Sequence, residues 1–178
     1  AATACFYWSL MAPAPAIAED ARGPVIVTVT GNISQTNRPP FNAFRDPFFK
    51  YHERTFEKAY EFDHEMLRAL PQQHITAGYQ DWPRQLDMSG PLISDLLAAV
   101  GAKGDKVIFV ALDGYSIEYD RAELEAGKWI LALEESGEVL DIGGRGPAWL
   151  AHPVEGGRNL TVEEEARWIW SVFLIEIR

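Results

Sequence analysis

The stretch Lys106-Val107-Ile108-Phe109-Val110-Ala111-Leu112-Asp113-Gly114-Tyr115-Ser116-Ile117-Glu118-Tyr119 decides how the rest of the chain is read. Its first half is a β-branched and aromatic run, the side-chain types that fit a pleated, buried surface. Asp113-Gly114 separates residues 107–112 from a second short run, residues 115–119. Asp-Gly between two such runs predicts a tight turn joining strands, because both residues tolerate positive φ. Tyr115 falls at the mouth of that turn, where a ring can face a pocket.

Working outward toward the C-terminus, Asp120-x-x-Glu123 has capping-box spacing for a short helix that ends at Gly127. Residues 129–133 read as a strand and Ser136-Gly137 as a turn, followed by a bending loop, Gly143-Gly144-Arg145-Gly146-Pro147, ahead of residues 149–152. Thr161-x-x-Glu164 repeats the capping pattern. Residues 168–177 are strand-rich and apolar on both faces at first, which predicts a central strand.

Toward the N-terminus, residues 25–30 (Val-Ile-Val-Thr-Val-Thr) form a clear strand closed by Gly31-Asn32. Asp63 can cap a short helix through Leu70, stopped by Pro71. Residues 73–77 read as a strand leading into Gly78-Tyr79. Ser89-Gly90-Pro91 is expected to open the best helix, with Leu92, Ile93, Leu96, Leu97 and Val100 as its core stripe and Gly101 as its stop. Short strands interspersed with short helices define an α+β class in one domain. The 178 residues fit one domain, since domains run to roughly 100–200.

Residues 41–62 carry eight aromatics: Phe41, Phe44, Phe48, Phe49, Tyr51, Phe56, Tyr60 and Phe62. Two readings stay open for this segment. It is either an insertion with its own satellite core, or a lid or partner-docking surface, where aromatic side chains are favoured.

The net charge of −10 and the lack of any extended Lys/Arg cluster disfavour nucleic acid and anionic membranes as partners. Residues 1–18 are uncharged, apolar, and end Ala16-Ile17-Ala18, which reads as a secretory leader entered partway, without a basic region or initiator Met. The competing reading, a membrane anchor, is disfavoured because Pro13 and Pro15 interrupt a run shorter than the ~20 residues of a span. Export to a bacterial periplasm is the expectation. Cys5, the single cysteine, lies in that leader, so the mature chain would offer no disulfide, thiolate ligand or cysteine nucleophile.

His52, His64, His74 and His152 are scattered without metal-binding spacing. No nucleophile elbow or phosphate-cradling loop occurs. Glu163-Glu164-Glu165 reads as a solvated helix start. From residues alone, the chain is an exported α+β domain with an aromatic-rich pocket and no visible catalytic set.

Four segments in order, Gly90-Pro91-Leu92-Ile93-Ser94-Asp95-Leu96-Leu97, Asp113-Gly114-Tyr115-Ser116, Gly146-Pro147 and Arg167-Trp168, resemble the molybdopterin-binding domain of the sulfite oxidase family. The match runs from about residue 25 to the end, with residues 38–62 as an addition. It implies a mixed α+β fold with a curved, barrel-like sheet and short helices, and a pterin lying across a pocket. Redox members hold molybdenum through a cysteine in a Cys-x-Gly segment. Here that segment is Thr76-Ala77-Gly78-Tyr79, and a hydroxyl cannot replace a soft thiolate. The family's His and Arg around the Gly-Pro, which contact the cofactor's phosphate, correspond to Gly144 and Trp149.

By resemblance, the pterin site would draw on Thr76 and Tyr79, on Trp82, Tyr115, Trp149 and Trp168 for stacking, and on Asp113 with Arg145 or Arg167 for hydrogen bonds. Small, exported, cysteine-less relatives bind a molybdenum-free reduced pterin without catalysis. They relay its availability to the periplasmic domain of a membrane-bound diguanylate cyclase/phosphodiesterase. The alternatives are a molybdenum cofactor-dependent oxidoreductase subunit and a ligand-free adaptor domain.

Overall fold

The computed structural model describes residues 20–178. The leader assigned to residues 1–18 lies outside them. In chain order the elements are β1 (Val25–Gly31), α1 (Pro47–Tyr51), β2 (Ala59–Asp63), α2 (His64–Ala69), β3 (Gln72–Ala77), β4 (Leu86–Pro91), α3 (Ile93–Ala99), β5 (Lys106–Ala111), β6 (Ser116–Asp120), α4 (Arg121–Ala126), β7 (Ile130–Ala132), β8 (Glu134–Glu135), β9 (Glu138–Val139), β10 (Trp149–Ala151), α5 (Val162–Glu165) and β11 (Val172–Ile177). The class is mixed α+β, dominated by strands with a few short helices.

The strands form three sheets: five strands in the order β2-β1-β11-β5-β6, four in the order β3-β4-β8-β9, and the pair β10-β7. Only β1 and β11 pair in parallel, Thr28 opposite Leu174 and Val29 opposite Ile175; the other pairings in these sheets are antiparallel. The last strand is therefore central, held between β1 and β5, as its apolar faces foretold.

Alternation along β5 explains why residues 107–110 carry no polar side. Val107, Phe109 and Ala111 point into the main core with Val27, Val29, Leu96 and Leu97. Ile108 and Val110 point the other way and form a smaller core with Phe173, Leu174 and the side chain of Phe49. Phe49 comes from the aromatic segment, so that segment covers the second face of the large sheet. Phe48 and Phe49 meet Phe173 at ring-centroid distances of 4.9 and 5.8 Å. Strands buried on both faces read as continuous apolar runs.

Three local expectations are corrected. Ser89-Gly90-Pro91 does not open a helix; it ends β4, where Gly90 lies so close to Leu131 that a Cβ would run into its carbonyl. Helix α3 starts two residues later with Leu92 at its N-cap, a side chain that cannot accept a hydrogen bond. Asp120 sits at the N-cap of α4 but makes no capping bond, because its carboxylate is paired with Lys106 Nζ at 2.7 Å on the neighbouring strand. Residues 168–170 lie outside β11, which starts only after Ser171, a residue at φ 56°. By contrast, Asp63 caps α2 through Met66 N–H, and Thr161 and Glu164 form a full capping box on α5.

Candidate functional site: an aromatic cleft beside the 112–115 turn

The turn between β5 and β6 builds one wall. Gly114 takes the positive φ, 90°, that the bend requires, and Asp113 does not. Instead Asp113 Oδ1 accepts the N–H of Tyr115 at 2.9 Å, an Asx-turn that bridges the bend from its side chain. Leu112 N–H donates to Ser171 O at 2.9 Å, tying the turn to the segment that precedes β11. Tyr115 is left 55% exposed.

That preceding segment is the opposite wall. The capping box fixes the start of α5, and Arg158 Nη2 clamps Glu164 Oε1 at 2.7 Å. This bond, with the Thr161 N–H behind it, holds the Glu164 carboxyl down to about 2. Glu165, the next residue, has no such partner. Between the walls lies a cleft of about 330 Å³ lined by Asp113, Tyr115, Glu165, Trp168 and Trp170, together with Ala111, Ala166 and Ile169. Its volume is at the small end of ligand pockets, which start near ~300 Å³.

Behind Trp168 the rings continue inward. Trp168 meets Trp149 at 5.5 Å and Trp82 at 6.1 Å, Trp82 meets Trp149 at 5.6 Å, and Tyr79 meets Trp82 at 6.0 Å. Arg145 lies 4.8 Å from the Trp149 ring centre and 5.4 Å from that of Trp82, a cation–π seat. Trp149 and Trp168 are 1% and 4% exposed, and the indole N–H of each is buried without an acceptor. A buried donor left unpaired costs about 1–3 kcal/mol, so these two N–H groups call for an acceptor from water or ligand.

The residues expected at the site thus divide among several places. Asp113, Tyr115 and Trp168 converge on the cleft. Tyr79, Trp82, Arg145 and Trp149 form the aromatic layer that Trp168 shares. Thr76 lines a second, smaller cleft of about 240 Å³ with His74, Lys128 and Val154, and its hydroxyl donates to Asp87 Oδ1 at 2.7 Å. Arg167 turns away to pair with Glu123 Oε1 at 2.6 Å and lies 4.8 Å over the Tyr119 ring. Tyr119 donates its hydroxyl to the Arg167 carbonyl, and burial pushes its phenol up to about 12. Among the described residues no three His, Cys, Asp or Glu side chains converge as a metal site.

Two lining residues escaped the sequence reading. Glu165 looked like any acid of a solvated helix start, and Trp170 like part of a strand. Nothing local in the sequence separates Glu165 from Glu164; only their neighbours in space do.

This arrangement is of a kind already seen among solved structures, in which a strand-rich α+β body carries short helices between strands. One such match is the crystal structure of the sulfane dehydrogenase SoxCD from Paracoccus pantotrophus, with a TM-score of 0.56 and 18% sequence identity. The match covers 86% of this chain and 38% of that one, so the present chain spans well under half of its neighbour's length. At this identity the likeness shows a related fold and nothing of the chemistry. No family model matches the sequence, and no curated protein matches it.

Proposed function

We propose that this chain is a non-catalytic pterin-binding protein with the molybdopterin-binding-domain fold of the sulfite oxidase family. The observation that carries the reading is the cleft between the 112–115 turn and residues 165–170, with Tyr115, Trp168 and Trp170 beside the carboxylates of Asp113 and Glu165. A pterin is a flat ring whose faces stack on aromatic side chains and whose amino-pyrimidine edge donates hydrogen bonds. Its ring carbonyl offers an acceptor of the kind that the buried Trp168 N–H lacks.

The donor set does not fit a molybdenum-bearing cofactor. Thr76, at the position of the family's metal-binding cysteine, offers a hard oxygen already hydrogen-bonded to Asp87, and soft thiolate is what that chemistry uses. No redox step is therefore derived for this chain. Placement in the periplasm, and relay of pterin availability to the periplasmic domain of a membrane-bound diguanylate cyclase/phosphodiesterase, are part of the same proposal. They are supported by the family resemblance and by the apolar leader. The exposed rings of Phe44, Phe48 and Tyr51 would serve as the partner face.

Titration with a tetrahydropterin, followed by tryptophan fluorescence, tests the reading. Saturable quenching of the cleft tryptophans is expected. No response up to high micromolar ligand would favour an adaptor domain, and stoichiometric molybdenum in protein purified from its native source would establish the oxidoreductase alternative instead.

A further inference from the structure

We infer that the free edge of β3 and the small cleft beside it dock an extended peptide of a partner protein, which adds a strand to the four-stranded sheet and presents a carboxylate to Lys128. The inference stands apart from the pterin reading. β3 ends its sheet, in the order β3-β4-β8-β9. Its neighbour β4 shows which of its main-chain groups are free. Asp87 and Ser89 turn their carbonyls to the far side of β4, where Ser136 N–H and Leu133 N–H donate to them at 2.7 and 2.8 Å. Bonded and unbonded pairs alternate along an antiparallel ladder. Leu86, Met88 and Gly90 therefore face β3 and bond with Ala77, Ile75 and Gln73 opposite them. The N–H and C=O of His74 and Thr76 point out of the sheet, and no turn, loop or side-chain hydrogen bond reaches them among the described residues.

The other strand edges are sealed, charged or very short. On β2, the Asn37 side chain donates to Glu61 O at 2.9 Å and accepts from Glu61 N–H at 2.6 Å. On β10, Leu150 N–H donates to Ile169 O. β6 carries Glu118 and Asp120, the latter paired with Lys106, and β9 has 2 residues. β3 runs for 6 residues, Gln72–Ala77, without an Asp, Glu, Lys or Arg. Proteins ordinarily blunt a free edge with charge, proline or a covering loop, because it pairs with any strand offered. An edge left open beside a cleft is the geometry of strand addition.

The cleft, of about 240 Å³, runs along that edge. Four consecutive residues of β3, Gln73 to Thr76, line it, whereas a space over one face of a strand meets alternate side chains. The other wall is apolar, made of Leu92, Ile130, Pro153 and Val154, with Leu92 and Ile130 joined by an antiparallel bridge. Its ionisable lining residues are Lys128 and His74, with no Asp or Glu among them, in a chain of net charge −10. Lys128 is exposed and enters no ion pair among the described residues. A strand on this edge bonds through its main chain to His74 and Thr76. It turns alternate apolar side chains into the cleft and sets an acid against Lys128, a charge-assisted contact. A second copy is the poorer occupant, because it brings two net charges of −10 together.

The test adds to the full chain a short, blocked, dye-labelled peptide in which valine and threonine alternate about one central glutamate. Fluorescence anisotropy and hydrogen exchange follow it. Saturable binding is expected, with slowed exchange at the His74 and Thr76 amides. Methylating the peptide's main-chain nitrogens should abolish binding, and replacing its glutamate by lysine should weaken it by about tenfold at low salt. His74→Pro should keep a cooperative melt, since the N–H it deletes lies outside the ladder, and lose the peptide. Should that variant fail to fold, Lys128→Glu takes its place and should invert the preference between the glutamate and lysine peptides. No saturable binding at millimolar peptide, binding indifferent to methylation, or a glutamate preference that survives Lys128→Glu would overturn the inference. So would a dimer that His74→Pro disrupts, which would assign the edge to a second copy.

Discussion

Glu164 and Glu165 are chemically identical neighbours with opposite assignments. Glu164 closes the α5 capping box and holds Arg158, and its carboxyl is depressed to about 2. A carboxyl whose folded pKa lies below its unfolded value stabilises the fold above the unfolded value, and that contribution is lost as pH falls toward the folded one. Denaturant midpoints from about pH 6 down to about pH 2 should therefore fall less steeply for Glu164→Gln than for the wild type. Trp168 calls for a milder substitution than alanine. It is buried, and an alanine there would leave a cavity costing about 3–5 kcal/mol, so lost binding could simply reflect lost fold. Trp168→Phe keeps a ring but removes the N–H. Its expected signature is a native-like thermal melt with pterin affinity weakened by about tenfold, a loss of roughly 1.4 kcal/mol; unchanged affinity would take Trp168 out of the site.

At the scale of elements, residues 38–62 prove to be part of the sheet's support. The Arg38 side chain is buried and binds Glu61 at 2.7 Å and Asp46, with its guanidinium 4.8 Å over the Phe56 ring. Burial pushes the Asp46 carboxyl up, but the Asn42 N–H and the guanidinium groups of Arg45 and Arg38 outweigh it and hold the group below its ordinary value. Arg38→Ala would take one of two guanidinium partners from the buried Asp46 carboxylate, leaving Arg45 and the Asn42 N–H, and the expected cost in a denaturant titration is about 1–3 kcal/mol. Deleting residues 45–58 would uncover Phe173, Ile108 and Val110 on the second face of the large sheet. Loss of the cooperative melt, or aggregation on size-exclusion chromatography, is the expected result. A stable monomer would show instead that the segment is an accessory lid. The exposed Phe44 and Tyr51 leave room for a partner on the outer side.

For the molecule as a whole, the parallel pairing of β1 with β11 means the large sheet cannot close until its last strand arrives. Such non-local pairing slows folding, because loop-closure entropy precedes the contacts that offset it. Truncation after Ser171 removes the strand held between β1 and β5 and is expected to abolish cooperative unfolding, as read by circular dichroism. The cleft is likewise assembled from parts distant in sequence, the 112–115 turn and residues 165–170. A ligand that bridges both walls stabilises only the folded chain, so the melting temperature should climb with the logarithm of pterin concentration once saturation is passed. A melting temperature independent of ligand would argue against binding in the cleft.

The apolar strand runs, the tight turn at Asp113-Gly114 and two helix caps were legible in the sequence because they depend on residues within a few positions of each other. So were the central place of the last strand and the α+β class. The same local rules failed at Gly90, where the need for close backbone approach to Leu131 overrode a helix-opening pattern, and at Asp120, where a cross-strand lysine outbid the cap. Tertiary structure alone decided that the aromatic segment covers the sheet's second face. It also separated Thr76 from the cleft, turned Arg167 toward Glu123, and left Glu165 without a partner beside Trp168. Those outcomes depend on which charges and rings meet across long stretches of chain, and spacing along the sequence carries no record of that.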